Sequence, residues 1–210
     1  MTGAEDLSDI SFLVFPGGFT NSDVLGAARG WAGAFKYNPK AMAALEGFLA
    51  REDTLSLGVC NGCQLMNLLD VVSEDRIFLD HNDSKKFESG FVNLLVGESP
   101  SIILKPLEGT RLGAWVAHGE GKFVFSTESL ADSIALKYAY SEYPANPNGS
   151  AFGAAGVVSK DGRHLAMMPH IERSIRPWQW PYQGKGFEYA EFTPWILAFR
   201  AAYEWSQSKQ

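Results

Sequence analysis

The sequence predicts an α/β domain, because strand and helix patterns alternate along its first part. Two short apolar runs, residues 10–15 and 55–59, each lead into a glycine-containing turn that is followed by a helical pattern. Such short apolar runs between turn signals are typical of buried parallel strands. The 210 residues, 46% of them hydrophobic, suffice for one domain with a sizeable core, and no linker or repeat divides residues 1–210.

Composition and charge exclude several classes of protein. A net charge of -6 without a basic stripe argues against a general nucleic-acid-binding protein. The chain lacks the ~20 uninterrupted apolar residues of a membrane helix, and residues 1–9, with three acidic and no basic residues, are unlike a secretory signal. Its two cysteines, three positions apart, exclude a disulfide framework and favour a reducing, cytoplasmic setting.

Strands and helices are expected to alternate over the first half of the chain. Pro16-Gly17-Gly18 ends the first strand, and Pro39 suits the first turn of a helix. Small residues in the first helical segment predict a close-packed or irregular helix. The expected elements are a strand over 10–15, a helix over 24–35 capped from 21–23, a helix over 39–49, a strand over 55–59 and a helix over 61–69.

The second half has shorter alternating patterns, which predict strands. Two prolines and an Asn-Gly pair make residues 143–150 a fixed, irregular loop. The expected strands are 91–96, 112–118, 123–125, 134–140, 154–159 and 164–168, the last two joined by a turn. The closing segment, 194–206, predicts an amphipathic helix whose apolar side carries Trp195, Ile196, Phe199, Ala202 and Tyr203.

The stretch from Leu57 to Met66 has the pattern of a nucleophile elbow, in which a strand, a sharp turn and a helix follow one another. Gly58 and Gly62 flank Cys60, where a strained turn needs small residues because it leaves no room for a Cβ. A cysteine at the start of a helix also sees the positive end of the helix dipole, which favours the thiolate. Cys60 is therefore the candidate nucleophile.

A thiol nucleophile needs a base, and the base needs a group that holds its tautomer. His170 and Glu172 are spaced as His-x-Glu after an apolar strand, so the two side chains can lie together in an extended or tightly turned segment. Gly17 and Gly18 can bring backbone N–H groups close to a ligand. This corner is therefore either an oxyanion-binding site or only a tight turn.

The other histidines and the second cysteine have plainer interpretations. His164 is expected to be a solvated strand residue, and His118 to border a pocket without an orienting partner close in sequence. Cys60 and Cys63 form a C-x-x-C pair, so dithiol redox chemistry is an alternative, whereas a zinc site lacks a second cysteine pair. Redox chemistry would leave the glycines, Gln64 and the His-Glu pair unexplained, and Cys63 is expected to be a small buried helix residue.

With these features assembled, the sequence resembles the class I (triad) glutamine amidotransferases. The resemblance covers residues 10–203 and rests first on the nucleophile motif at 58–64 and on Pro169-His170-Ile171-Glu172-Arg173. Further segments resemble one branch, the glutaminase domain of a large, fused synthetase of purine biosynthesis. These segments are 17–26, 29–32, 86–89, 117–123 and 143–150. The resemblance implies a flavodoxin-like, three-layer α/β fold with a mostly parallel central sheet.

The resemblance also implies a mechanism. Cys60 would attack the side-chain amide of glutamine and form a glutamyl thioester and ammonia. His170 would move the proton, and Glu172 would orient His170. The backbone N–H groups of Gly18 and Asn61 would hold the oxyanion.

Substrate, cofactors and partner follow from the same resemblance. Gln64 would help to hold the substrate glutamine, and the loop at Phe87 is a weaker contact to it. The domain itself would bind no metal and no cofactor. ATP and magnesium are expected on a synthetase domain or subunit, which would use the ammonia to convert formylglycinamide ribonucleotide to the amidine.

The chain departs from the family pattern at three places. Gly90 stands where much of the family has arginine, and Ile171 replaces the usual proline between His170 and Glu172. The family begins with a further strand–helix unit and a second strand. The chain is therefore expected to be truncated at its N-terminus, with strand 10–15 as an exposed hydrophobic edge.

Two other functions stay open at the level of sequence. One is a cysteine hydrolase of the same elbow architecture that acts on another amide or peptide. The other is a non-catalytic domain that only docks on a synthetase or does not fold alone. The aromatic segment 178–182 is expected either to dock a partner or to pack over the core.

Overall fold

The computed structural model describes residues 6–73, 75–182 and 190–209, so residues 1–5 of the acidic N-terminal segment lie outside it. The strands are β1 (Phe12–Phe15), β2 (Leu55–Val59), β3 (Ile77–Asp80), β4 (Glu88–Val96), β5 (Arg111–His118), β6 (Lys122–Phe125), β7 (Ile134–Tyr138), β8 (Ala154–Val158) and β9 (His164–Met167). The α-helices are α1 (Arg29–Lys36), α2 (Pro39–Ala50), α3 (Asn61–Leu68) and α4 (Ile196–Ser208). Short 3-10 turns connect several of these elements.

The central sheet has the strand order β1-β2-β9-β8-β7-β4-β5, and β3 and β6 form a separate antiparallel pair. β1, β2 and β9 pair in parallel, whereas the remaining neighbours pair antiparallel. Five strands thus run in one direction, namely β1, β2, β9, β7 and β5. The other two, β8 and β4, run in the opposite direction. The predicted α/β fold is confirmed, with a mixed sheet whose strands mostly share a direction and whose parallel end carries the elbow.

Apolar strands at the centre of the sheet form the core. β2, β8 and β9 are buried along their whole length, as short apolar runs predict. Trp195, which precedes α4, is fully buried, and its indole N–H donates to the Gly113 carbonyl at 2.8 Å. β1 is an edge strand of the described sheet, with Val14 42% exposed, which agrees with the hydrophobic edge predicted for residues 10–15.

The first helix is irregular at its start. α1 begins at Arg29 and not at residue 24, because Leu25, Ala27 and Ala28 have positive φ angles of 71°, 44° and 60°. Asp23 does not cap α1 as predicted, since its Oδ1 accepts the N–H of Ala28, the residue before the helix, at 2.9 Å and not an N–H of the first helical turn. The irregularity is confirmed, and the predicted start of the helix is wrong because tertiary hydrogen bonds hold the preceding residues in left-handed conformations.

The later elements follow the predictions with two exceptions. All six strands expected in the second half are present, and residues 143–150 form neither helix nor strand. β3 was not predicted. In α4, Tyr203 is 65% exposed although it was expected on the apolar side, because Ala198, Ala202 and Ser206 face the core instead.

Within the described ranges, no helix is long and apolar enough to cross a membrane.

Candidate active site

Cys60 lies on the turn between β2 and α3 with φ 52° and ψ -105°. Such angles destabilise a non-glycine residue by about 1–3 kcal/mol, so the surrounding structure must hold them. The Cys60 N–H donates to the Met167 carbonyl of β9 at 2.8 Å, and its carbonyl accepts the Gln64 N–H at 3.0 Å. The geometry of the predicted nucleophile elbow is therefore present.

The glycines beside Cys60 are required by close backbone approach. A Cβ on Gly58 would lie 2.5 Å from Met66 Sδ and 2.6 Å from the Gly62 carbonyl oxygen. A Cβ on Gly62 would overlap the carbonyl oxygen of Phe15 in β1. The predicted need for small residues is confirmed, since α3 packs directly against β1 and β2.

His170 and Glu172 follow β9 and form a close pair. Glu172 lies in the 3-10 turn Ile171–Arg173, and its Oε1 is 2.6 Å from His170 Nδ1. With Nδ1 donating to the carboxylate, Nε2 is an acceptor. The His170 side chain is 1% exposed, and among the described residues its Nε2 has no hydrogen-bond partner. The pair therefore has the arrangement of a base and its orienting carboxylate.

Gly17 brings the thiol and the imidazole together. A Cβ at Gly17 would lie 2.5 Å from His170 Cε1 and 3.1 Å from Cys60 Cβ, so both side chains pack against this glycine. Gly18, the next residue, has φ 141°, which favours glycine. The Gly-Gly corner therefore forms one wall between the two reactive groups.

Most of the predicted site residues line one cavity of about 440 Å³. Its lining includes six residues named from the sequence, which are Gly18, Cys60, Asn61, Gln64, Phe87 and His170. Glu172 is the seventh predicted residue, and it contacts His170 at Nδ1. The structure therefore brings together all seven residues that the sequence analysis proposed.

The protonation state of Cys60 differs from the expectation. Burial raises the pKa of its thiol to about 11, although a hydrogen bond from the Asn61 N–H acts in the opposite direction. The predicted preference for thiolate is wrong here because desolvation outweighs the helix terminus. The thiol is neutral at pH 7, so it needs a base, and the unpaired acceptor of His170 is nearby.

Cys63 faces the core instead of the cavity. It is fully buried in α3, where burial raises the pKa of its thiol well above the ordinary value. Both cysteines are free. This supports a packing role for Cys63 over a dithiol pair. Within the described ranges, no cluster of three or more His, Cys, Asp or Glu residues is placed to hold a metal ion.

Two carboxylates that the sequence analysis did not single out as site residues also line the cavity. Asp23 Oδ1 accepts from Asn61 Nδ2 at 3.1 Å, and Glu120 Oε2 accepts the Ala27 N–H at 2.7 Å. Gln64 Nε2 donates to the Glu120 carbonyl at 2.7 Å. These bonds connect α3 to residues 23–28, several of which have positive φ angles, and to the turn after β5. No local pattern could have shown them, since their partners are far apart in sequence.

Two further histidines are buried. His118 lines the cavity as expected, and it does have an orienting partner, since Asn82 Oδ1 lies 3.2 Å from its Nδ1. His164 was expected to be solvated, which is wrong because β9 lies inside the sheet. Its Nδ1 is 2.9 Å from Ser56 Oγ. Burial lowers the pKa of both imidazoles to about 4.

The aromatic segment 178–182 is divided between core and surface. The Trp180 ring packs 5.5 Å from Phe91, and its indole N–H donates to the Ser174 carbonyl. Trp178 and Tyr182 are 75% and 77% exposed. Both expected roles of the segment therefore remain compatible with its structure.

Comparison with known proteins gives a consistent set of matches. A model of the CobB/CobQ-like glutamine amidotransferase domain matches residues 1–206. The phosphoribosylformylglycinamidine synthase of Homo sapiens is 41% identical over 98% of this chain and 18% of its own length. The protein of the same name from Drosophila melanogaster is 40% identical over 98% of this chain and 17% of its own length. The chain thus spans less than a fifth of these relatives.

A solved structure supports the fold. PurLQS from Thermotoga maritima superimposes with a TM-score of 0.73 over 96% of this chain and 82% of that chain. The sequence identity is 24%, so this similarity concerns the architecture alone.

Proposed function

Because the chain belongs to the CobB/CobQ-like glutamine amidotransferase family, we propose that it hydrolyses the side-chain amide of glutamine to supply ammonia. The observation that carries the proposal is the strained elbow of Cys60 beside a buried His170 held at Nδ1 by Glu172. A thiol, a base and an orienting carboxylate are the groups that amide cleavage through a thioester requires.

The arrangement supports the following sequence of steps. His170 Nε2 takes the proton of the Cys60 thiol as sulfur attacks the amide carbon of glutamine. The N–H groups of Gly18 and Asn61 stabilise the oxyanion of the tetrahedral intermediate. His170 returns the proton to the amide nitrogen, the carbon–nitrogen bond breaks, and ammonia leaves. Water then attacks the thioester, which releases glutamate and restores the thiol.

Gln64 and Phe87 are proposed to contact the substrate. Gln64 is fixed by bonds to Asn61 at 2.9 Å and to the Glu120 carbonyl at 2.7 Å, so it offers a rigid polar wall one helical turn from the thiol. Phe87, which is 56% exposed, borders the cavity from the loop before β4. These positions suit the floor and the rim of a pocket for one amino acid.

The names of the curated relatives support a wider proposal. We infer that the chain is the glutaminase part of a phosphoribosylformylglycinamidine synthase of de novo purine biosynthesis. A synthetase domain or subunit would receive the ammonia and use ATP and magnesium to convert formylglycinamide ribonucleotide to formylglycinamidine ribonucleotide. The glutaminase part would bind no cofactor of its own. Two free cysteines suit a reducing compartment, and the cytoplasm is the proposed location.

Covalent labelling tests the proposal directly. The purified chain is incubated with 6-diazo-5-oxo-norleucine, an electrophilic analogue of glutamine, and its intact mass and peptide map are measured. We expect a single adduct on Cys60 that excess glutamine prevents. The Cys63→Ala variant, which keeps the proposed nucleophile, should take up the same label.

Other outcomes have distinct meanings. A folded chain that takes up no label at Cys60, alone or with its synthetase partner, would contradict the proposal. Turnover of peptides or esters without turnover of glutamine would favour a different cysteine hydrolase.

A further inference from the structure

The mechanism proposed above does not use the buried imidazole of His118. This residue ends β5, is 3% exposed and lines the cavity of Cys60. A Cβ on Gly121 would lie 2.6 Å from His118 Nδ1, so the glycine makes room for the ring. Buried polar atoms in proteins normally have partners. His118 Nε2 has none among the residues that the structure describes.

The hydrogen bonds of Asn82 determine the tautomer of His118. Asn82 Nδ2 donates to the carbonyls of Lys86 at 2.9 Å and His118 at 2.8 Å. Its Oδ1 therefore faces the Gly121 N–H at 3.1 Å and His118 Nδ1 at 3.2 Å. Because an amide oxygen only accepts, Nδ1 carries the proton and Nε2 has a free lone pair. Burial lowers the pKa of His118 to about 4, which keeps the ring neutral at pH 7.

The ring that carries this lone pair lines the cavity of the candidate catalytic groups. Nε2 is directed away from Asn82, which occupies the Nδ1 side of the ring. The carbonyl of the preceding residue, Ala117, is 3.6 Å from Cys60 Sγ. His118, Cys60 and His170 all line this one cavity. Among the described residues, an acceptor without a donor therefore belongs to a ring that lines the same cavity as the thiol.

We propose that His118 Nε2 accepts a hydrogen bond from the –NH2 group of the substrate carboxamide and so selects amides for attack by Cys60. The inference rests on the proposed glutaminase function. The carbonyl oxygen of the amide turns toward the N–H groups of Gly18 and Asn61, which leaves the nitrogen on the opposite side. Its N–H groups lose water on entering the cavity and need an acceptor there.

The same contact distinguishes substrate from product. Glutamate has a carboxylate oxygen in place of the –NH2 group, and a carboxylate only accepts hydrogen bonds. Its oxygen would face the lone pair of His118, so the two groups repel each other. Glutamate therefore binds more weakly than glutamine and leaves the site after each turnover.

Two substrates and two variants test this role. Glutamine is compared with the γ-methyl ester of glutamate, whose leaving oxygen has no hydrogen to donate. His118→Phe keeps a ring but removes the acceptor, and His118→Gln restores an acceptor oxygen. We expect His118→Phe to lower kcat/KM for glutamine by about 10- to 100-fold, the effect of an unpaired buried donor, and for the ester by less than about 3-fold. His118→Gln should recover part of the glutamine rate only.

A matched control removes the other buried imidazole. His164 does not line the cavity, so His164→Phe should lower the two rates by the same factor. Equal loss of both rates in His118→Phe, without recovery in His118→Gln, would overturn the proposal and leave His118 a structural role. A wild-type chain that turns over neither substrate and takes no label at Cys60 would instead overturn the proposed function.

Binding provides a second measurement that does not depend on folding of the His118 variants. In the Cys60→Ala chain, which cannot form the thioester, glutamine and glutamate are compared by calorimetry. Glutamine is expected to bind at least about 10-fold more tightly, since one hydrogen bond is exchanged for a repulsion. Equal affinities would overturn the proposal.

Discussion

The two cysteines show how surroundings decide the reactivity of a residue. Cys60 and Cys63 are one helical turn apart, and burial raises the pKa of both thiols. Cys60 alone borders the cavity and packs beside His170 through Gly17. Nearness to a base, and not an intrinsically low pKa, therefore distinguishes the candidate nucleophile from its neighbour.

The matched variants Cys60→Ala and Cys63→Ala test this distinction. Cys60→Ala should lower glutamine hydrolysis by more than about 1,000-fold, because no other group can form the thioester. Cys63→Ala should keep the rate within about 3-fold and mainly lower the melting temperature, because it leaves a small cavity in the core. Glutamate release and thermal unfolding are measured for both. Equal loss of activity in both variants would support dithiol chemistry.

The residues predicted from sequence are those with local patterns. His170 and Glu172 are two positions apart, and the elbow lies within one short stretch, so spacing alone predicted their geometry. Asn82 orients His118 from 36 positions away, and Asp23 reaches Asn61 across 38. Such contacts depend on how distant strands and loops meet, which a single sequence does not show.

At the scale of elements, α3 can pack closely against β1 and β2 because two glycines at the contact carry no side chain. Gly62 faces the Phe15 carbonyl, and Gly58 faces Met66 and the backbone of Gly62. The close approach fixes the start of α3 and thereby the position of Cys60. Helix placement and the strained elbow are therefore one structural feature.

A pair of glycine substitutions tests this packing. Gly62→Ala would force α3 away from β1 and should lower the free energy of unfolding by more than about 2 kcal/mol, as overpacking does. Gly47→Ala, at an exposed site in α2 where a Cβ meets no atom within 4 Å, should raise it by about 0.5–1 kcal/mol. Urea unfolding measures both. Similar effects of the two substitutions would show that α3 does not pack as closely as described.

The elements differ in how far their sequences determine them. β2, β8 and β9 are short apolar runs and were predicted within one residue of their bounds. β3 has four residues and depends on pairing with β6, for example between Ile77 and Phe125, so its own pattern was too short. Residues 24–28 resemble a helix, but bonds to Asp23 and Glu120 hold them in another conformation.

At the scale of the whole molecule, two buried histidines make stability depend on pH. Burial lowers the pKa of His118 and His164 from about 6.5 to about 4, so the unfolded chain binds more protons than the folded chain between these values. Their contribution to stability is complete above about pH 6.5 and is lost as the pH falls toward 4. Each imidazole can account for roughly 2 kcal/mol between pH 7.5 and 5.

Urea unfolding at pH 7.5 and pH 5 checks this dependence. We expect the unfolding midpoint to be lower at pH 5, because the unfolded chain then protonates the two imidazoles and the folded chain does not. Few carboxylates titrate between these pH values, so they contribute little to the change. In His164→Gln, which cannot take up a proton and can still bond to Ser56, about half of the decrease should disappear. A midpoint that is the same at both pH values would contradict the burial of two neutral imidazoles in the folded chain.

The position of β9 determines when the site can form. β9 is the last of the described strands in the sequence, yet it lies between β2 and β8 in the sheet. Until residues 164–167 have been made, a chain emerging from the ribosome lacks the strand that joins β2 to β8. Cys60 lacks the Met167 carbonyl that holds its turn until then, and His170 does not yet exist. The candidate site therefore cannot form before β9, the last of the described strands, completes the sheet and is followed by the candidate base.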